Sequence, residues 1–198
     1  MAATERGPRE RMVFGAAQLI RREGVASTGM REVAAEAAAP RGSLQHYFPG
    51  GKTQLVDEAV GWAGRYAAGR VARYLAALAE PTPSGLFTAM VRQWTDEYET
   101  AGFSGGCPVA AATVDCAEAA PSTRQAASAA FTAWTAAVAA ALVETGVPGE
   151  RAGPLATLMI SSLEGAILLA RAERDVRPLT TVARELGPLL DAAVRTGG

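Results

Sequence analysis

Apolar and polar positions along this chain repeat with a helical period, and runs that alternate every second residue are missing. Met12, Val13, Ala16, Ala17 and Ile20 form the stripe of a first helix from about Pro8 to Glu23, which Gly24 stops. Thr28 is placed to cap a second helix, where Met30, Val33, Ala34 and Ala37 follow the i, i+3, i+4, i+7 rule. Pro40 fits the first turn of a short third helix that ends at Phe48, before "PGG". A long fourth helix starts at Lys52 or Thr53 and runs to about Ala79. Further helices are expected over Ser84–Ala101, Pro108–Ala119 and Ser122–Thr145, then from "GVPGE" to about Arg174, and over Leu179–Val194. No internal repeat is present. Ala and Leu dominate, so an all-α fold is expected, three short helices and then six longer ones, divided into residues 1–51 and 52–198.

Composition changes this picture in one respect. With 198 residues, 49% of them apolar, the chain has material for a real core. A net charge of −1 argues against a nucleic-acid partner, but the charge is unevenly spread. Residues 1–56 hold eight Lys and Arg against five Asp and Glu, or +3; residues 57–198 hold eleven against fifteen, or −4. No unbroken apolar run reaches the roughly 18–20 residues that span a bilayer, so no membrane partner is expected. The charged start "MAATERGPRERM" lacks the apolar stretch of an export signal, which suits a cytoplasmic protein. Cys107 and Cys116 are nine residues apart, about 900° on one helix, so they are expected neither to bridge nor to share a metal. No cofactor is expected.

The chemistry concentrates in "PRGSLQHYFPGGK", which holds the sole histidine and the sole lysine. On a helical wheel with Arg41 at zero, Leu44 falls at about 300° and Phe48 at about 340°, while His46 points to about 140° with Gly42 and Ser43 beside it. Gln45 and Tyr47 take the borders. One side anchors the helix and the other displays hydrogen-bonding groups and a glycine that lets a partner approach. A short helix docked across its predecessor with a polar outer face is the helix-turn-helix arrangement, whose second helix enters the major groove. Lys52 adds to this reading. A lysine at a helix N-terminus is locally unfavourable by a few tenths to about 1 kcal/mol, a cost that makes sense where an anion docks. His46 has no nucleophile or carboxylate at a spacing that implies a triad, so no catalytic residue is expected.

The stretches "AAQLIRREGVAST", "MREVAAEA" and "RGSLQHYFPGGKTQLV" resemble the DNA-binding domain of the TetR/AcrR family of bacterial transcriptional regulators. "GGCPVAA" and "SLEGAILLARAERD" resemble a subgroup related to lincomycin- and flavonoid-responsive repressors. The resemblance implies that Thr28 contacts phosphate, that Arg41, Gly42, Ser43, Gln45 and His46 face the groove, and that Tyr47 and Lys52 clamp the backbone. Three positions depart from the family pattern. Ala38 stands in the inter-helix turn where glycine is frequent, Pro40 where a capping serine is common, and Gln45 where tyrosine is frequent. Glutamine pairs bidentately with adenine.

For the rest of the chain, the resemblance implies a six-helix ligand-binding and dimerisation domain. Met90, Trp94, Tyr98, Phe103, Cys107, Phe131, Trp134, Met159 and Leu163 are the candidates for binding a small hydrophobic or aromatic inducer, with ordinary core packing as the plainer reading. Cys107 precedes Pro108, a helix start where thiols acidify, so it is either a redox-sensitive group or an inert buried one. Helix 8 carries apolar or small residues around much of its circumference, more than one packing face needs. Leu158, Ser162, Ala166 and Leu169, with Val182, Leu186 and Leu189 of the last helix, are the candidates for a homodimer interface, which the family builds as a four-helix bundle. The expected function is a ligand-responsive repressor of a palindromic operator in double-stranded DNA. The alternative is a helical small-molecule-binding protein that has lost DNA binding.

Overall fold

The computed structural model describes residues 7–116 and 120–194; of Arg41 it describes the backbone alone. Among the described residues every regular element is a helix: α1 Pro8–Ser27, α2 Met30–Glu36, α3 Arg41–Tyr47, α4 Gly51–Ala76, α5 Pro83–Ala101, α6 Pro108–Cys116, α7 Pro121–Glu144, α8 Gly149–Glu173 and α9 Arg177–Asp191. By their contacts they form two compact units. The first takes Met1–Arg65 with Gly105–Phe131, the second Tyr66–Ser104 with Thr132–Gly198, so α4 and α7 each contribute to both. In the first unit α1 packs against α6 and α2, and α2 against α3; in the second α5, α8 and α9 pack together.

The stripe expected on α1 is its core face: Met12, Val13, Ala16, Ala17 and Ile20 are all buried. Gly24 breaks the helix as expected, with φ +81°, but the chain resumes for one more turn to Ser27. A side chain at Gly24 would be strained by that φ and would meet Asp115 Oδ2 at 2.6 Å. The carboxylate is there for a reason. The break frees the amide of Val25, which donates to Asp115 Oδ2 at 2.7 Å.

Several helix ends differ from expectation, each for a local reason. Thr28 does not cap α2: it is 2% exposed, its hydroxyl donates to the Gly24 carbonyl at 2.7 Å, and Gly29 takes the cap position. Pro40 is the N-cap of α3 rather than part of its first turn, and no side chain caps that end. Gly51, not Lys52, opens α4. That helix stops at Ala76 because the Ala77 and Leu78 amides turn back onto Tyr74 and Leu75 carbonyls ahead of two prolines. Thr82 caps α5, its hydroxyl accepting from the Gly85 amide at 3.0 Å. The expected last turn of α6 falls on residues 117–119, outside the described residues. The last helix runs Arg177–Asp191, its first amide donating to Asp175 Oδ1 at 2.8 Å. This bond and the Arg177 guanidinium hold the Asp175 carboxyl below its ordinary pKa.

One expectation is corrected by composition averaged over whole helices. Although no unbroken apolar run is long enough, α7 and α8 are each long and apolar enough by length and composition to cross a membrane. Alanine accounts for much of this: α7 buries Ala127, Ala130, Trp134, Val138, Ala141 and Leu142 on one side and carries Arg124, Gln125, Ser128 and Thr132 exposed on others. Such a helix buries one stripe against its neighbours and tolerates water elsewhere.

Two substitutions test the local geometry. The α2–α3 turn follows the left-handed path usually given to glycine, with alanine in it: Ala38 has φ +48°, its amide donates to Ala35 O, and the Ala39 amide donates to Ala34 O. This is a Schellman closure with a Cβ at the unfavourable position. Ala38→Gly is expected to raise stability by about 1 kcal/mol, read as a higher urea midpoint at unchanged slope. Gly64 serves close packing: a Cβ there would lie 2.5 Å from Ala130 Cβ and 2.7 Å from Ala130 Cα. Gly64→Ala is expected to cost about 1–3 kcal/mol in the same measurement, the range for overpacking a tight contact.

Candidate nucleic-acid interface

The third helix has seven residues, too few to be stable alone. Its place is fixed by two side chains, Leu44 (5% exposed) and Phe48 (1%). Arg9 covers Phe48, its guanidinium 5.2 Å from the ring centroid, and pairs with Glu58 at 2.6 Å. Glu58 also accepts from Gln54 Nε2 at 3.0 Å, and Gln54 Oε1 in turn accepts from the Gly50 amide at 2.9 Å. The Pro-Gly-Gly turn after α3 is thus tied to the first two turns of α4. Opposite the anchors, Gly42, Gln45 and His46 are exposed, with Ser43 and Tyr47 half-buried on the flank. The His46 and Tyr47 rings meet edge to face at 5.1 Å. A Cβ at Gly42 would meet nothing within 4 Å, so a partner has open access to that backbone.

Lys52 is half-buried and its Nζ donates to the Ala26 carbonyl at 3.1 Å. The carbonyl belongs to the last turn of α1, the negative end of that helix, so the penalty expected for a lysine at the start of α4 is offset within the protein. An ammonium has three donors, and this contact uses one.

One residue of this face was missed by the apolar stripe of α2. Arg31 is exposed, and with Met30, Leu44, Gln45, Phe48, Pro49 and Gly51 it lines a trough of about 370 Å³ between α2, α3 and the turn. A stripe analysis looks inward, and Arg31 points out; only its charge in the first turn of α2 could have marked it.

Of the inducer candidates, Met90, Trp94, Tyr98, Trp134, Met159 and Leu163 are buried in the second unit. Trp94, Tyr98 and Phe103 form a continuous aromatic run, with centroids 5.9 and 4.9 Å apart, and the Arg174 guanidinium lies 6.0 Å from the half-buried Phe103 ring. Cys107 and Phe131 belong to the first unit. Both cysteines are buried, and burial pushes the Cys116 thiol up, away from the thiolate. Among the described residues no group of three or more His, Cys, Asp or Glu is arranged to hold a metal.

Of the interface candidates, Leu158 (38%), Leu169 (54%) and Leu189 (48%) are exposed, and Ser162, Val182 and Leu186 are half-buried. Ala166 is corrected: at 1% exposure it is enclosed by its own chain and unavailable to a second copy. The outward stripe of α8 instead runs through exposed Leu158, Ser161, Leu168 and Leu169 with half-buried Ser162 and Gly165 between them.

Residues 14–59 match the family model described as bacterial regulatory proteins, tetR family, and residues 83–185 match that of the transcriptional regulator LmrA/YxaF-like C-terminal domain. The chain is 41% identical over 191 residues to an uncharacterized HTH-type transcriptional regulator of Mycobacterium tuberculosis strain H37Rv, covering 93% of this chain and 94% of that one. It is 28% identical over 182 residues to the HTH-type transcriptional regulator LmrA of Bacillus subtilis strain 168, covering 92% and 96%. Its fold is similar to the crystal structures of TetR transcriptional regulators from Legionella pneumophila (TM-score 0.80, 20% identity, covering 93% and 98%) and Chloroflexus aurantiacus (0.75, 25%, 98% and 98%). A recognition helix anchored by Leu44 and Phe48, on a chain matched in both its parts, makes this protein a DNA-binding transcriptional regulator of the TetR family with an LmrA/YxaF-like C-terminal domain.

Proposed function

We propose that the protein is a repressor that binds a palindromic operator as a homodimer and is released by a small hydrophobic or aromatic inducer. The observation that carries the operator reading is the two-sided third helix: Leu44 and Phe48 buried, Gly42, Gln45 and His46 exposed. Residues 1–51 read DNA, with Ser43 and Arg41 beside the exposed set and Tyr47 and Lys52 on the backbone. Thr28, enclosed and bonded to Gly24, is left out of the contact set. Residues 52–198 serve the inducer and the second copy, and the protein acts in the cytoplasm without catalysis.

Two copies meet through the outward stripe of α8 and the Val182, Leu186, Leu189 flank of α9. A large apolar face of this kind is costly to leave in water. A two-fold pair also presents two reading helices to half-sites about 34 Å apart or a multiple of it. The aromatic run Trp94–Tyr98–Phe103 and the buried Met90, Trp134, Met159 and Leu163 supply an apolar setting for the inducer. An inducer acts only through its differential affinity for the two states of the dimer. The fourth helix is the mechanical link, since Gly51–Arg65 belongs to one unit and Tyr66–Ala76 to the other.

In operator titrations at several salt concentrations, Lys52→Ala is expected to weaken binding to every sequence alike and to lower the log–log salt slope by about one. Gln45→Ala is expected instead to cost about 1–3 kcal/mol at one base-pair position. A wild-type chain that shows no salt-dependent binding to any selected duplex is the alternative, a small-molecule binder with an idle head. Leu169→Glu puts a charge into the proposed interface; sedimentation equilibrium is expected to show a monomer that keeps its helical content, and an unchanged dimer would rule that surface out.

A further inference from the structure

We infer that the trough between α2, α3 and the Pro-Gly-Gly turn reads thymine, taking the C5-methyl groups of two successive thymines beside an adenine held by Gln45. The inference rests on the operator reading above and adds the identity of bases to it.

The trough encloses about 370 Å³. Its floor is the buried pair Leu44 and Phe48; half-buried Met30 forms one wall, and exposed Pro49 and Gln45 form the rim. Gln45 belongs both to this rim and to the exposed face of α3, so the trough borders that face at Gln45. B-DNA offers its major groove ring nitrogens, carbonyl oxygens, amino groups and a single kind of apolar projection, the thymine methyl. The apolar part of the trough, Met30, Leu44, Phe48 and Pro49, therefore has one chemical counterpart in the duplex. The trough is larger than one methyl needs. Successive bases on a strand rise by about 3.4 Å, which brings a second thymine methyl in beside the first.

The polar rim agrees with this assignment. The Gln45 amide offers one donor and one acceptor, the pair that matches adenine N6 and N7, and adenine is the partner base of thymine. Arg31 places a full positive charge at the edge of the same trough, in the part of the chain that carries +3, where a phosphate flanking the thymines would lie. An apolar small molecule would use the floor but would leave both the Gln45 amide and the Arg31 charge unmatched.

The test uses the full-length wild-type protein and a duplex selected by it from a random pool. Each thymine of the selected site is replaced in turn by uracil, which removes the methyl and nothing else. Two adjacent positions in each half-site are expected to lose about fourfold in affinity each, the equivalent of about 0.8 kcal/mol for one buried methyl. In Met30→Ala the uracil effect at those positions is expected to fall below twofold, with affinity for the unmodified duplex lowered by a similar fourfold. A selected duplex in which no uracil weakens binding by twofold overturns the thymine assignment and leaves the operator reading standing. So does binding of an apolar small molecule in the trough without uracil sensitivity. Failure to select any sequence, with no salt-dependent binding, overturns the operator reading itself.

Discussion

A two-turn helix is unstable in water, and the DNA reading proposed above depends on one that is held in place by burial. Leu44 and Phe48 supply that burial from one side of α3. Each is worth about 1.5–3 kcal/mol when fully removed from water, which is comparable to the cost of ordering a few residues. The same geometry frees the other side. Because the anchors take positions four apart, the residues between them, Gln45 and His46, are turned outward together. Anchoring and display are therefore one feature of the sequence. A polar residue at 44 or 48 would release the whole of α3, and with it the exposed face it displays.

The corner where α1 turns into α2 shows how the reading helix is fixed to the rest of its unit. A broken helix leaves backbone groups in need of partners. Here the Val25 amide goes to Asp115 of α6, the Gly24 carbonyl to Thr28, and the Ala26 carbonyl to Lys52 of α4. Beside it, Arg21 and Gly106 bond reciprocally, the Arg21 Nε donating to the Gly106 carbonyl at 3.1 Å and the Gly106 amide to the Arg21 carbonyl at 2.8 Å. Thr123 of α7 donates to Asp57 of α4 at 2.5 Å. The corner is thus bonded to two elements from elsewhere in the chain. Any shift of α6 or α4 within this unit must either carry the corner with it or break a hydrogen bond to a charged group, worth about 1.5–3 kcal/mol.

The sequence made the anchors, the exposed face of α3 and the nine-helix order legible, because periodicity reports directly which side of a helix is buried. It misread what depends on neighbours distant in sequence. Thr28 has the chemistry of a cap, but the φ of Gly24 brings a carbonyl within reach and the hydroxyl goes there instead. At Lys52 the sequence showed a charge suited to an anion but not the α1 carbonyl, 26 residues away, that takes one of its three donors. Ala166 and Leu169 are both apolar positions of α8, and only packing separates the enclosed one from the exposed one. Ala38 is the opposite case. An alanine stands where relatives often have glycine, and the chain keeps the glycine path and accepts the strain.

Charge explains how a chain with a net charge of −1 can approach a polyanion at all. The Debye length at physiological ionic strength is about 8 Å, so a phosphate responds to the charges near it and not to the sum. From Lys52 to the end of α4 is about 36 Å at 1.5 Å per residue, several screening lengths. Charges at the far end of α4 therefore do not act at Lys52, while Asp57, Glu58 and Asp115, which lie in the first unit with the basic residues, are engaged there by Thr123, Arg9 and the Val25 amide. The three-unit surplus of residues 1–56 is small, however, and its cost is a shallow electrostatic contribution. On the reading proposed above, phosphate contacts set the register of the protein on the duplex and α3 supplies the sequence preference.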